Sequence, residues 1–328
     1  MKLLVTGAAG FIGSHYVRTL LSGGYVGYEN AEVTVYDKLT YAGNLENLAP
    51  VADDRRYRFI QGDILDGALL DDVLPGHDAV LNFAAESHVD RSIHGAADFV
   101  TTNAVGVQVL LDACLRAGIP RVVQVSTDEV YGSIAEGSFT EQSPLAPSSP
   151  YSATKTGADL LVSSFFHTYG LRCVICRGSN NYGPYQYPEK LIPLMILNAL
   201  SGDRLPVYGD GRNVRNWLYV EDHCRGIQLV LQRGKPGEVY NIGGGVELTN
   251  RELTERLLEA CGRDWDSYVD YVEDRKGHDR RYSLSDDKIR RELGYAPHVD
   301  FVEGLAATVQ WYRDNESWWR PLKEKTHT

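Results

Sequence analysis

Apolar residues follow two rhythms along this chain. Short, nearly continuous apolar runs at residues 3–6, 33–36, 57–61, 79–83 and 122–125 predict buried strands of a parallel sheet. Helical spacing separates them: Phe11, Ile12, Val17, Leu20 and Leu21 share one stretch, and residues 99–117 form a longer pattern that stops at Gly118 and Pro120. After a loop at 138–150 carrying Pro144, Pro147 and Pro150, residues 151–169 read as a helix and 171–176 as a strand. Another helix opens after Glu189 and Lys190, the chain is expected to return to the first lobe at 239–243, and helices are expected at 249–261, 286–293 and 302–315. The charged tail 323–328 is expected to fray. Strand–helix alternation of this kind predicts an α/β fold built on a doubly wound parallel sheet. Residues 1–178, with about 212–245 returning to them, form the first domain in this reading. A smaller, discontinuous C-terminal lobe takes about 179–211 and 246–328 and binds the substrate.

Composition narrows the partners. With 328 residues the chain buries a sizeable core, and 43% apolar with 23% charged residues is the balance of a soluble globular protein. A net charge of −11 opposes nucleic acid and acidic membrane surfaces, although helix N-termini and local basic residues still hold a small anion. No apolar run is long enough to span a bilayer and no leader pattern opens the sequence, so a cytoplasmic location is expected. There are five cysteines. Cys173 and Cys176 have C-x-x-C spacing, but three residues apart on a strand they face opposite sides, and no second pair completes a metal site. All five are expected as reduced thiols, with no metal.

The chemistry gathers at strand ends. Gly7, Gly10 and Gly13 lie between the first strand and the first helix, which is the context of a phosphate-binding turn. Asp37 ends the second strand 24 residues after Gly13, where a carboxylate meets adenosine ribose hydroxyls and repels a ribose phosphate, favouring NAD over NADP. Asp63 follows the third strand, and the small residues Ala84 and Ala85 follow the fourth. After the fifth comes Ser126-Thr127-Asp128-Glu129-Val130-Tyr131-Gly132, which sets a hydroxyl, an acid and a base side by side. Tyr151 and Lys155 then share one helix face. A phenol titrates near ~10, so it serves as a base only if a cation such as Lys155 or an oxidised nicotinamide lowers that value. Adjacent carboxyls in different surroundings divide the roles of base and acid in an elimination.

These segments resemble the extended short-chain dehydrogenase/reductase family, and within it the nucleotide-sugar 4,6-dehydratases. The likeness runs nearly the whole length and is most specific at 7–13, 84–92, 126–132, 151–155, 180–186 and 274–278. It implies a Rossmann-type domain, NAD as a tightly bound cofactor, and dTDP-glucose as substrate. It implies that Tyr151 takes the sugar 4-hydroxyl proton with Thr127 on the same oxygen, that Glu129 takes the C5 proton, and that Asp128 donates to the departing C6 hydroxyl. Around NAD it places Gly7, Gly10, Phe11, Ile12, Gly13, Asp37, Lys38, Leu39, Thr40, Asp63, Ile64, Ala84, Ala85, Thr102, Tyr151, Lys155 and Asn181. Around the nucleotide sugar it places Ser87, Thr127, Asp128, Glu129, Asn180, Lys190, Leu191, Pro206, Tyr208, Arg215, Asn250, Arg275 and His278. It also implies a homodimer through the two long helices near 99–117 and 151–169. A 4-epimerase or decarboxylase of the same fold is the nearest alternative. An epimerase needs no acid–base pair for water loss, and no site for a substrate carboxylate is evident. A cofactor-sensing protein with a dead site would be expected to lack Tyr151 or Lys155.

Overall fold

A computed structural model describes residues 1–326. The described residues form twelve strands: β1 (Lys2–Thr6), β2 (Glu32–Asp37), β3 (Tyr57–Gln61), β4 (Ala79–Asn82), β5 (Val122–Thr127), β6 (Cys173–Gly178), β7 (Asn180–Tyr182), β8 (Leu205–Tyr208), β9 (Val214–Tyr219), β10 (Val239–Ile242), β11 (Val246–Thr249) and β12 (Val269–Val272). Seven of them make one parallel sheet in the order β10-β6-β5-β4-β1-β2-β3. The chain therefore winds outward from β1 in one direction to β3 and in the other to β10. The carboxyl ends of β1 and β4 flank the point where that direction reverses, which is where a crevice opens in such sheets.

Alternation along the strands loads both faces. Leu3 and Val5 pack below one face with Tyr16, Val17 and Leu20 of the helix Phe11–Leu21, while Leu4 packs on the other with Leu110, Leu111 and Val162. Cys173 and Cys176 fall on opposite faces by the same rule, and all five cysteines are free thiols. A third core, centred on Ile196, Leu253, Leu257 and Tyr312, belongs to the smaller lobe, where β11-β9-β7 and β12-β8 form short sheets.

Several elements differ from the sequence pattern, each for a local reason. The helix expected over 99–117 is interrupted by a π-helical stretch at Val100–Gly106 before continuing as Val107–Arg116. That wider turn brings Asn103 inward, where its amide holds the backbone of Glu86 on both sides and the Thr154 hydroxyl. The second long helix is Pro150–Tyr169, with a Ser149–Ser152 capping box in front and Gly170 left-handed behind. The strand after it starts two residues later than the apolar run, at Cys173, in register with Val122. Among the elements that went unread are the strand β9, which joins the small sheet although its residues fall in the stretch 212–245, and the helix Val220–Arg233. Conversely Ile289, Leu293 and Tyr295, from the stretch assigned to the small lobe, pack into the core of the main sheet. The tail expected to fray from 323 is helical in Glu316–Thr326; His327 and Thr328 lie outside the described residues.

Candidate active site

The glycine turn shows why it must be glycine. Gly7 has φ +65°, and a Cβ on it would stand 2.5 Å from the Ala84 backbone nitrogen at the end of β4. On Gly13 a Cβ would meet Ala8 Cα at 2.7 Å, so the first helix could not approach the strand. That helix starts at Gly10 with no side-chain cap and no acidic residue in its first turn. Its first N–H groups are thus left for an anion. Asp37 is held at the end of β2 by the N–H groups of Ala9 (2.9 Å) and Leu39 (2.8 Å).

One cavity runs from this turn to the end of β5. Gly7, Gly10, Phe11, Ile12 and Gly13 line it, with Asp37, Lys38 and Thr40 past β2, and Asp63 and Ile64 past β3. Ala84, Ala85 and Ser87 follow from β4, and Thr102 comes from the interrupted helix. Thr127, Asp128, Glu129, Tyr151, Lys155, Asn180, Asn181, Lys190 and Leu191 complete it. Leu39 is absent from the lining, and its part is to offer its N–H to Asp37. Pro206, Tyr208, Arg215, Asn250, Arg275 and His278 also lie off the enclosed cavity, around β8, β9 and the loop after β12. Arg215 donates to the Asp279 carbonyl at 2.9 Å, and Arg275 pairs with Asp90 at 3.4 Å. Their charges still reach the site, because Arg275, Arg215 and Lys190 all act on Glu129.

Sequence reasoning passed over several wall residues. Ser126, Ser179, Trp217, His223 and Trp318 all line the cavity. His223 bonds Asn181 and is pushed down to about 4 by burial, so it is neutral. Ser126 and Ser179 were legible as hydroxyls at strand ends. His223 and Trp318 sit on helices whose own patterns carried no signal.

The chemistry concentrates at the end of β5. Thr127 caps a 3-10 turn at Asp128–Tyr131 by accepting from the Glu129 N–H, and its hydroxyl donates to Asp128 at 3.2 Å. Asp128 is 2% exposed, so it is no solvated loop residue. Burial, and secondarily the charge of Glu129, push its carboxyl up to about 8. Burial raises Glu129 as well, against the pull of Arg275, Arg215 and Lys190. Tyr151 lies near Thr127: burial pushes its phenol up, while the Thr127 hydroxyl pulls it down. Lys155 donates to the Val125 carbonyl at 2.8 Å and is lowered to about 8 by burial, with Asp159 opposing.

Without the cofactor's positive ring, burial and then Glu129 and Asp128 hold the Tyr151 phenol well above its usual value, with Thr127 opposing them. Lys155 is anchored by its hydrogen bond to the Val125 carbonyl.

The residues fit a dinucleotide. The capless helix start, the crowded glycines and the placement of Asp37 form its cradle. Buried polar atoms around the cavity lack partners: Ser126 Oγ, Ser179 Oγ, Asn181 Oδ1 and Asp128 Oδ2 on its walls, and Asn250 Oδ1 and Arg275 Nε in the outlying group. Unsatisfied groups of this kind mark where a polar ligand is to bind.

Comparison with known proteins points to one family. A family model described as GDP-mannose 4,6 dehydratase matches residues 4–308. A dTDP-glucose 4,6-dehydratase of Streptomyces niveus is 60% identical over 323 residues, 98% of this chain and 96% of that protein. The crystal structure of a dTDP-glucose 4,6-dehydratase from Streptomyces venezuelae, with NAD bound, is 61% identical. It superposes with a TM-score of 0.97 over 98% of this chain and all of that one. A UDP-glucose 4-epimerase of Thermotoga maritima shares the fold at 33% identity and a TM-score of 0.87, over 96% of this chain and all of that one.

Proposed function

This chain belongs to the GDP-mannose 4,6-dehydratase family of nucleotide-sugar enzymes, and on that premise we propose that it converts dTDP-glucose to dTDP-4-keto-6-deoxyglucose as an NAD-dependent hydro-lyase. The observation that carries the proposal is the pair at the end of β5: a buried Asp128 whose carboxyl burial pushes up to about 8, beside a Glu129 that burial also raises but that three cations, Arg275, Arg215 and Lys190, pull back.

Residues at 7–13, Asp37, Asp63, Ala84, Ala85, Thr102 and Asn181 would hold NAD, with Tyr151 and Lys155 at its reacting end. When bound, NAD would supply a reversible hydride acceptor for the C4 hydrogen that is later delivered to C6, and a positive ring that would favour the Tyr151 phenolate. Tyr151 accepts the proton of the sugar 4-hydroxyl, with Thr127 hydrogen-bonding the same oxygen. The resulting C4 ketone acidifies the C5–H bond, whose proton passes to Glu129. Its electrons form the C5–C6 double bond as the C6–O bond breaks, and Asp128 protonates the departing hydroxyl to water. Glu129 then returns a proton to C5. Arg215 and Arg275 are suited to the diphosphate, since guanidinium forks match its oxygens.

The acid–base pair favours this reading over 4-epimerisation, which needs no proton donor at C6. Incubation with dTDP-glucose should give a product lighter by one water. Turnover of UDP-glucose with no dehydration of dTDP-glucose would overturn the assignment.

We also infer a homodimer. The helical stretches 97–116 and 150–169 pack side by side and leave Val100, Val105, Leu160 and Tyr169 between 45% and 59% exposed, an apolar face of the kind a partner covers. No helix among the described residues is long and apolar enough to cross a membrane. Five free thiols suit a reducing compartment, and we place the protein in the cytoplasm.

A further inference from the structure

The C-terminal helix Glu316–Thr326, unread in the sequence, sends Trp318 into the wall of the cofactor cavity. Its indole N–H donates to Asn47 Oδ1 at 2.9 Å. The same Asn47 side chain donates at 2.8 Å to the carbonyl of Ala9, inside the glycine turn. One buried amide, 2% exposed, therefore ties the last helix of the chain to the first phosphate-binding turn.

A second set of contacts closes the same corner. Tyr185, another wall residue, holds a left-handed backbone at φ +68°, a conformation that a non-glycine residue keeps only when its surroundings enforce it. The enforcing groups are visible. The Arg18 guanidinium lies 4.1 Å from the Tyr185 ring centroid, and Trp311 and Trp318 pack on that ring with centroids 4.5 and 5.6 Å away. Arg18 also donates to the Asn47 carbonyl. The glycine turn, the 3-10 turn Leu45–Val51 that carries Asn47, Tyr185 and the C-terminal helix thus meet at Trp318, and none of the contacts involves the acid–base residues.

We infer that Trp318 is a retention residue for the dinucleotide: its indole, latched by Asn47, must lift before the cofactor can leave. The inference rests on the proposed reaction, in which the cofactor ends each cycle as it began. Loss of the cofactor midway would strand an oxidised sugar on the protein, so slow release protects each turnover. Substrate is not subject to this latch, because none of its proposed residues belongs to the Asn47–Trp318–Tyr185 cluster.

The test is release of NAD from the purified holoenzyme. Bound NAD is counted after passage through a desalting column and after timed dilution into NAD-free buffer. Trp318→Phe removes only the N–H donor, and Trp318→Ala removes the ring as well. We expect release to quicken several-fold in the first and by roughly tenfold or more in the second, the scale of one or two lost contacts. Turnover should fall without added NAD and recover when NAD is supplied. Thermal melts of both variants with saturating NAD check that they fold, and Trp318→Phe keeps the test valid if Trp318→Ala does not. Release as slow as in the unaltered protein from a folded Trp318→Phe and a folded Trp318→Ala would overturn the latch alone. An unaltered protein that neither retains nor binds NAD would instead overturn the underlying functional reading.

Discussion

Asp128 and Glu129 are adjacent in the chain, yet their surroundings push them to opposite tasks. Asp128 receives one hydroxyl hydrogen bond from Thr127 and is sealed from solvent, whereas Glu129 looks toward Lys190, Arg215 and Arg275. Burial raises both carboxyls and Glu129 raises Asp128 further, while three cations pull on Glu129 against one, Arg215, on Asp128, so Glu129 is the one favoured to lose its proton first.

Replacing Glu129 by Gln should leave C4 oxidation intact and stop the loss of water. On mixing with dTDP-glucose, absorbance of the reduced cofactor should appear and persist, with dehydration slowed by about 100-fold or more. Turnover at the unaltered rate would remove Glu129 from the base role.

Asp128 sets a pH limit with a definite sign. Its folded carboxyl is raised to about 8, so the acid form needed for elimination is present below that value and lost as pH rises through it. Dehydration should decline on the alkaline side with that midpoint, and Asp128→Asn should abolish it. Stability follows the same group. Between its unfolded value near ~4 and about 8 the folded protein holds a proton that the unfolded chain has released, so Asp128 makes the cofactor-free protein progressively less stable as pH rises across that window. Asp128→Asn should flatten this slope, and melting temperatures measured across the window read it directly.

Behind the site, Arg177 and Asp159 form an ion pair at 2.8 Å with side chains only 5% and 1% exposed. Arg177 also donates to the Tyr131 hydroxyl, which donates onward to Asn241. Arg177→Ala leaves a buried carboxylate without its cation, and should cost about 3–5 kcal/mol in chemical denaturation. A change under 1 kcal/mol, by about the scale of an exposed pair, would mean that water reaches Asp159.

The dimer face is tested at Leu160, 59% exposed on the helix Pro150–Tyr169. Leu160→Glu should shift the protein to a monomer in sedimentation or light scattering while the folded signal persists. A monomeric unaltered protein would dismiss the dimer.

Much of the site was legible because its parts are local. A strand followed by glycines and a helix, a carboxylate closing the next strand, and Tyr151 one helical turn from Lys155 are all patterns of short spacing. What failed to show was long in range or atypical in period. The π-helical stretch that delivers Asn103 to Glu86 hides inside an ordinary helical pattern, since one wider turn leaves the apolar spacing almost unchanged. The strand β9 was masked because it carries Arg215 and Asn216 between apolar residues.

By itself the sequence determined the alternation of strands and helices, the glycine turn, and which residue types stand at each strand's end, because these follow from periodicity and from neighbours in the chain. The tertiary structure decided protonation and closure. Burial, not chain position, pushes up the carboxyl of Asp128 and the phenol of Tyr151. Folding alone brings Trp318 within 2.9 Å of Asn47, 271 residues away. Desolvation and long-range contact depend on what surrounds an atom in space, and a sequence states only what precedes and follows it.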